Sequence, residues 1–327
     1  MLKLQLKKLQ QNRFLQYLPL LPVIPQILLL ISYYSHWWLS DIYVSFSPYI
    51  FVGSVILLLV SAIFIKNTYH KVFFILALIL TLVNAVPAYN WLYMTNYSHR
   101  SNGDIKIASL NKLYTNKNLD RLSKDVSSEK YDIVGMSEVP KSHYETLKKS
   151  WRYSVSADCK CDPSLASELV IFSKYPIENA EVISAGEDKG GMLRAEFMIN
   201  KKPLIVYVAH PPAPVNMANY QQRRKVLSEF IAPRLRADKD KAAIFMGDLN
   251  LSVYSQNYKE FASSISGYDN ILQGTQDYKT WCFAGLDLIC APIDQMFVTH
   301  KLSASKPEII PIEGTDHDLL STEIVLK

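Results

Sequence analysis

Ala242-Ala243-Ile244-Phe245-Met246-Gly247-Asp248-Leu249-Asn250 is a short apolar run that stops on a glycine and then delivers an acid and an amide. An apolar run this short, bounded by a polar turn, reads as a buried strand rather than a helix. The same ending recurs elsewhere in the chain. Asn111 follows Ile107-Ala108-Ser109-Leu110, Glu138 follows Ile133-Val134-Gly135-Met136-Ser137, and His210 follows Ile205-Val206-Tyr207-Val208-Ala209. Strands that end this way place Asn111, Glu138, His210, Asp248 and Asn250 on one rim. Taken singly, each has an ordinary explanation, since Asp and Asn favour turns and a lone histidine is more often structural. Taken together they supply what hydrolysis of a phosphate ester needs. Carboxylate and amide oxygens suit a hard divalent cation, and the reaction requires an activated water and positive charge against the developing negative charge.

Thr315-Asp316-His317, near the C-terminus, reads as the other edge of such a site. Asp294 lies inside the apolar run Pro292-Ile293-Asp294-Gln295-Met296-Phe297-Val298. A lone buried carboxylate there would be costly, so it needs a cationic or hydrogen-bonding partner. His317 is the natural one. A carboxylate on one ring nitrogen fixes the tautomer and favours imidazolium, which suits a group facing a phosphoryl transition state. The plainer alternative is that Asp294 caps a turn or faces water.

From about Ser98 onward, short β-type runs alternate with polar segments and helical stretches. Strands are expected over Ile105 to Leu110, Tyr131 to Met136, Leu169 to Phe172, Leu193 to Met198, Pro203 to Ala209, Ala242 to Met246, Ile293 to Val298 and Leu319 to Leu326. Helical periodicity falls over Asn118 to Lys130 and Asn216 to Leu235. About 230 residues of this kind suit one α+β domain, residues 98–327, with two packed sheets or one large one.

Residues 1–97 read differently. Three apolar stretches, about Leu18 to Leu39, Ile42 to Ile65 and Val72 to Met94, each approach the ~20 residues that cross a bilayer as a helix. Pro19, Pro22 and Pro25 crowd the first, and Trp37, Trp38, Trp91 and Tyr93 sit where interface anchors belong. Lys3, Lys7, Lys8 and Arg13 before the first stretch, with Lys66 and Lys71 between the second and third, put both segments in the cytoplasm. Three spans then export the following domain, whereas two would return it to the starting side. The expectation is a multi-pass membrane protein with an extracytoplasmic catalytic domain; buried helices of a soluble protein are the alternative.

The chain carries 35 Lys+Arg and 30 Asp+Glu. Residues 1–96 contain six basic and one acidic residue, which leaves 29 of each sign in the remainder. The excess positive charge therefore belongs to the edge of the anchor, not to a nucleic-acid groove. Arg223-Arg224-Lys225 reads as a solvated helix face. All four cysteines, Cys159, Cys161, Cys282 and Cys290, lie beyond the anchor. In an exported domain they imply one or two disulfides with the pairing open, a Cys-x-Cys metal site being the alternative; in a cytoplasmic one they would be free thiols.

The order of motifs resembles the endonuclease/exonuclease/phosphatase superfamily over about residues 104–327. The matching segments are Ser109-Leu110-Asn111, Ser137-Glu138, Phe172-Ser173-Lys174-Tyr175-Pro176-Ile177, Ala209-His210-Pro211, Gly247-Asp248-Leu249-Asn250, Thr280-Trp281, Ile293-Asp294-Gln295-Met296-Phe297 and Thr315-Asp316-His317. The resemblance implies a four-layer α/β sandwich of two mixed sheets flanked by helices. It implies Mg²⁺, with Mn²⁺ as a substitute, held chiefly by Glu138 with Asn111 and Asp316. It gives Asp248 the attacking water, Asn250 and His210 the scissile phosphate, and His317, oriented by Asp294, the pentacovalent phosphorus or the leaving group. Two departures stand out: Ser137 where many members have Gln, and Asp318 after His317, which adds negative charge at the pocket lip.

Three spans followed by an exported domain of this kind also resemble bacterial membrane proteins linked to teicoplanin resistance, which implies a polyprenyl pyrophosphate substrate. The expected partners are a phosphate ester, lipid-linked in the favoured reading, and the bilayer. An extracytoplasmic nuclease on DNA or RNA is the alternative that the balanced charge disfavours, and a tethered binding protein without turnover is a third. The sequence identifies no protein partner.

Overall fold

The computed structural model describes residues 17, 20–65, 68–93, 97–98, 103–157, 169–184, 191–273, 279–283 and 289–327. The chain divides into two compact units, Met1–Met94 with Tyr254–Gln256, and Thr95–Val253 with Asn257–Lys327.

In the first unit the three apolar runs fold unequally. The third forms a helix, Thr68–Tyr93, whose stretch Thr68–Val86 is long and apolar enough to cross a membrane. The second divides into Trp38–Ser45 and Ser47–Ala62, bent by 70° at Phe46, where Pro48 opens the next helix. The first forms only the 12-residue helix Val23–Tyr34, about 18 Å long against a hydrocarbon thickness of about 30 Å. Lys3, Lys7, Lys8, Arg13 and Lys66 lie outside the described residues, as do the side chains of Trp91 and Tyr93.

The burial pattern of this unit is inverted. Gln26, Ser54, Ser61, Thr81 and Asn84 are buried, while Ile24, Ile31, Ile56, Leu59, Ile79 and Leu82 are exposed. The Gln26 side-chain amide donates to Thr81 Oγ1 at 3.2 Å, and Asn84 Nδ2 donates to the Gln26 carbonyl at 3.0 Å. Gln26, Thr81 and Asn84 thus bond one another inside, and hydrocarbon side chains lie outside.

The second unit is built on two mixed sheets. Its strands are β1 (Ile105–Asn111), β2 (Ile133–Ser137), β3 (Tyr153–Ser156), β4 (Val170–Ser173), β5 (Ile177–Ser184), β6 (Gly191–Ile199), β7 (Lys202–Ala209), β8 (Ala243–Asp248), β9 (Tyr268–Asn270), β10 (Trp281–Cys282), β11 (Cys290–Ala291), β12 (Asp294–Thr299), β13 (Leu302–Ala304), β14 (Glu308–Ile310) and β15 (Leu319–Leu326). One sheet runs β13-β15-β1-β2-β4-β3, with β14 also on β15, and the other β5-β6-β7-β8-β12-β9. Each contains one parallel pair among antiparallel neighbours, β1 with β2 and β7 with β8.

These parallel pairs pack on one another and thereby aim the site residues. Gly135 of β2 lies so close to the other sheet that a Cβ there would meet Val208 Cγ2 at 2.4 Å and Met246 Cε at 2.6 Å. Gly135, Val208 and Met246 therefore point between the sheets. Because side chains alternate along a strand, Asp248, two residues beyond Met246, points the same way, and so does Ser137, two beyond Gly135. Asn111 is paired in register with Ser137 and shares its face. The opposite faces bury the hydrocarbon core. Ala108, Leu110, Val134, Met136 and Phe172 pack with Leu122 and Leu147 of helices Leu119–Asp125 and Lys141–Leu147. On the second sheet Phe245 and Phe297 stack at 6.0 Å and meet Phe261 of helix Gln256–Ser264.

The eight expected strands appear with ends shifted by no more than two residues, and β3, β5, β9, β10, β11, β13 and β14 are additions. The second expected helix is observed as Met217–Lys225, a π-helical turn at Val226–Ile231 and Ala232–Ala237, with Asn216 Oδ1 capping the Asn219 N–H at 2.8 Å. One expectation is corrected. Arg224 and Lys225 are solvated, but Arg223 is fully buried, because its guanidinium turns inward to the Asn250 carbonyl and lies over the Tyr220 ring at 5.6 Å.

Replacing Gly135 with Ala is expected to destabilise the protein by about 2 kcal/mol, since Val208 must move to admit the methyl group. A denaturant midpoint equal to wild type would show that the sheets do not pack in contact there.

Candidate active site

Asp248 and Asp294 occupy facing positions on β8 and β12, paired in register. Two carboxylates on one rung repel. His317 resolves the conflict, with Nδ1 2.8 Å from Asp294 Oδ2 and Nε2 3.6 Å from Asp248 Oδ2. All three are buried, with 2 %, 2 % and 5 % of their surfaces exposed. Burial alone would strip the proton from His317, yet the Asp294 and Asp248 charges overcome it and raise its pKa to about 10. Burial likewise opposes the charged form of Asp248, but His317 and His210 prevail and hold it at about 2. Burial raises the Asp294 carboxyl, with the His317 charge opposing and the Asp248 charge adding. At neutral pH the His317 imidazolium lies between the Asp248 carboxylate and the Asp294 carboxyl.

Asn111 joins this trio to Glu138. Its Nδ2 donates to Glu138 Oε1 at 2.9 Å and to Asp248 Oδ2 at 3.1 Å, while its Oδ1 accepts the Leu113 N–H at 3.0 Å. Glu138 sits just past β2 with φ of 57°, a left-handed conformation that non-glycine residues rarely adopt. Its second oxygen accepts the Tyr114 N–H at 2.9 Å. His210 Nε2 lies 3.4 Å from Asp248 Oδ2 and 3.7 Å from Glu138 Oε1. Burial disfavours its charge, but the Asp248 hydrogen bond and the two carboxylates raise its pKa. Asn250 donates its backbone N–H to Asp248 Oδ1 at 2.8 Å and its Nδ2 to the Pro211 carbonyl at 3.1 Å, tying the β8 loop to the β7 loop.

Asp316 stands at the third side. Its Oδ2 accepts the Trp281 indole N–H at 2.8 Å, and its Oδ1 is buried with no hydrogen-bond partner. A buried carboxylate oxygen left alone is costly, and a divalent cation would satisfy it. Each Glu138 oxygen accepts one protein hydrogen bond and keeps lone-pair capacity. Carboxylate oxygens of this kind suit a hard cation. Asn111 offers Glu138 its donor side, so it orients a carboxylate. Asp248, Asp294 and His317 also bring ligand atoms within 4.8 Å of one another, but the His317 Nδ1 contact with Asp294 marks them as a proton-holding group.

Several residues that fix this geometry carry no role in the sequence reading. Gly247 has φ of 139°, and a Cβ there would lie 2.1 Å from the Ala209 carbonyl oxygen. Gln295, fully buried beside Asp294, donates to the Leu251 carbonyl at 3.0 Å, while Arg223 holds the Asn250 carbonyl. Thr315 Oγ1 donates to the Asn111 carbonyl and accepts the His317 N–H, both at 2.9 Å. A polar residue inside an apolar run was the one available signal, and it applied to Gln295 as well as to Asp294. Of the cysteines, Cys282 and Cys290 form a disulfide, and Cys159 and Cys161 lie outside the described residues.

The model of the Endonuclease/Exonuclease/phosphatase family matches residues 101–317. No curated protein matches the chain significantly by sequence. Solved structures share the fold. A humanized zebrafish (D. rerio) TDP2 superposes with a TM-score of 0.56 at 18% identity, over 67% of this chain and 98% of that one. An endonuclease/exonuclease/phosphatase from Beutenbergia cavernae gives 0.55 at 15% identity, over 68% and 72%. Staphylococcus aureus beta toxin gives 0.50 at 18% identity, over 67% and 99%. Members of the matched family are phosphoester hydrolases that use divalent metals. The chain belongs to the endonuclease/exonuclease/phosphatase family.

Proposed function

We propose that this protein is a membrane-anchored, Mg²⁺-dependent phosphoesterase acting on a lipid-linked phosphate ester, with its catalytic unit outside the cytoplasm. The observation that carries the hydrolytic reading is the His317 imidazolium, buried between Asp294 and Asp248 and flanked by His210, Asn111 and Glu138. His317 Nε2 supplies positive charge where a phosphoryl group would develop negative charge, with the His210 ring beside it. Asp248, held at about 2, is a weak base, so it orients the attacking water and draws its proton only as the bond to phosphorus forms. Asn250 and His210 hold the phosphate. Glu138 and Asp316 would hold Mg²⁺, or Mn²⁺ in its place, with Asn111 orienting Glu138, and the bound ion would supply Lewis-acid stabilisation of the phosphate charge.

The inverted burial of the first unit supports an anchor in hydrocarbon. The charge balance of the second unit and the exposed apolar side chains Phe283 and Ile289, next to Trp281, favour a lipid substrate over nucleic acid. The nuclease reading draws on one observation, the shared fold with a zebrafish TDP2 solved with a single-strand DNA product.

The deciding experiment presents the full chain with Mg²⁺ to polyprenyl pyrophosphate or phospholipid in liposomes, and to plasmid DNA. Mg²⁺-dependent release of phosphate or head group is expected, with turnover lowered about 100-fold or more in Asp248→Ala and His317→Ala. Glu138→Ala is expected to raise the Mg²⁺ concentration for half-maximal rate about tenfold. Nicked DNA with no lipid turnover makes the protein a tethered nuclease, and silence on all three substrates leaves a tethered binding protein.

The same charges set a pH window for stability in the cation-free protein. His317 has a folded pKa raised from 6.5 to about 10, so its contribution is full below 6.5 and is lost as pH rises through about 10. Asp248 is lowered from 3.8 to about 2, so its contribution is full above 3.8 and is lost as pH falls through about 2. Denaturation in EDTA is expected to show a midpoint that falls between pH 7 and pH 10. A His317→Ala midpoint that falls just as steeply would refute this origin.

A further inference from the structure

β10 and β11 are two residues each, too short to hold together as a hairpin unaided. They pair Cys282 with Cys290, and the same two residues are joined by a disulfide. Each arm of this cross-linked hairpin leads to one half of the catalytic pair. On the β10 side, Trp281 bridges His317, the Cys282 N–H donates to the Asp316 carbonyl at 2.9 Å, and the Asp318 N–H donates to the Thr280 carbonyl at 2.8 Å. On the β11 side, the chain passes through Pro292 and Ile293 to Asp294, whose N–H donates to Thr280 Oγ1 at 3.1 Å. The Trp281 indole N–H meanwhile takes one oxygen of Asp316 and leaves the other buried and unpartnered.

We propose that Trp281 is a positioning residue for the hydrolytic reaction and that the Cys282–Cys290 disulfide is the brace through which it acts. The indole N–H turns the free oxygen of Asp316 toward the cation site, and the braced strand sets His317 opposite Asp294. The inference rests on the phosphoesterase reading above. It adds that a covalent bond outside the site holds Asp294 and His317 in register.

The test uses the full chain in detergent, oxidised, with Mn²⁺ as the probe ion, and reads Mn²⁺ binding by calorimetry, kcat, KM and melting temperature. Trp281→Phe keeps an aromatic ring and removes the donor. It is expected to raise the Mn²⁺ midpoint and lower kcat, each about tenfold, with KM within about twofold and melting unchanged. A dithiol reductant, giving up two electrons and two protons per disulfide, should produce the same losses in wild type, and reoxidation should reverse them. Cys282→Ala/Cys290→Ala should show the losses from the start and ignore the reductant; if that variant does not fold, the reversible response of wild type decides. Wild-type Mn²⁺ binding and kcat in Trp281→Phe, or losses that merely follow a lowered melting temperature, would overturn the proposal. A wild type that binds Mn²⁺ but hydrolyses nothing sinks the phosphoesterase reading alone, because the Mn²⁺ midpoints still report on Trp281. A wild type that does neither overturns both.

Discussion

A carboxylate with 2 % of its surface in contact with solvent stays ionised only if the protein replaces the water it has lost, and Asp248 is in that position. The replacements come from four separate segments: the Asn111 amide, the His210 and His317 imidazoles, and the backbone N–H of Asn250. Each of these is itself held by a second group. Thr315 and Asp294 fix His317, Pro211 and Arg223 fix the Asn250 turn, and Leu113 fixes Asn111. The site is in large part the set of arrangements needed to keep one acid charged between two sheets.

That requirement explains why the polar ends of β1, β7 and β8 converge. The two parallel pairs pack closely enough that β2 must carry glycine at position 135, and the alternation of side chains then sends Asp248 into the gap the sheets share. β12 lies antiparallel beside β8 and brings a second acid onto the same rung. Without His317 this would be a like-charge clash. With it, the clash becomes a device that keeps a proton on an imidazole far above its usual range.

Much of this was legible in the chain. Strands that end on Asn111, Glu138, His210 and Asp248 announce a rim as a set, since each ending alone reads as an ordinary turn. Asp294 in its apolar run demanded a partner, and His317 is that partner. Other features resisted reading for physical reasons. The hairpin of β10 and β11 has only two residues per arm and is held by a cross-link, so no periodicity marks it. Arg223 sits in a run of cations that looks solvated, and only the position of the Asn250 carbonyl turns it inward. Ile42 to Ile65 reads as one helix by hydropathy, yet it bends at Phe46, where Pro48 starts a new one.

Glu138 holds its place with φ of 57°, a conformation that suits glycine and costs any residue with a Cβ roughly 1 kcal/mol or more. Glycine at that position would relieve the backbone but would leave the Asn111 amide and the Tyr114 N–H without the carboxylate that accepts them. Glutamate is nevertheless what this sequence carries, in a strained turn, with its carboxylate addressed by Asn111 and Tyr114. The backbone cost there is borne by a side chain whose carboxylate both Asn111 and Tyr114 hold in place.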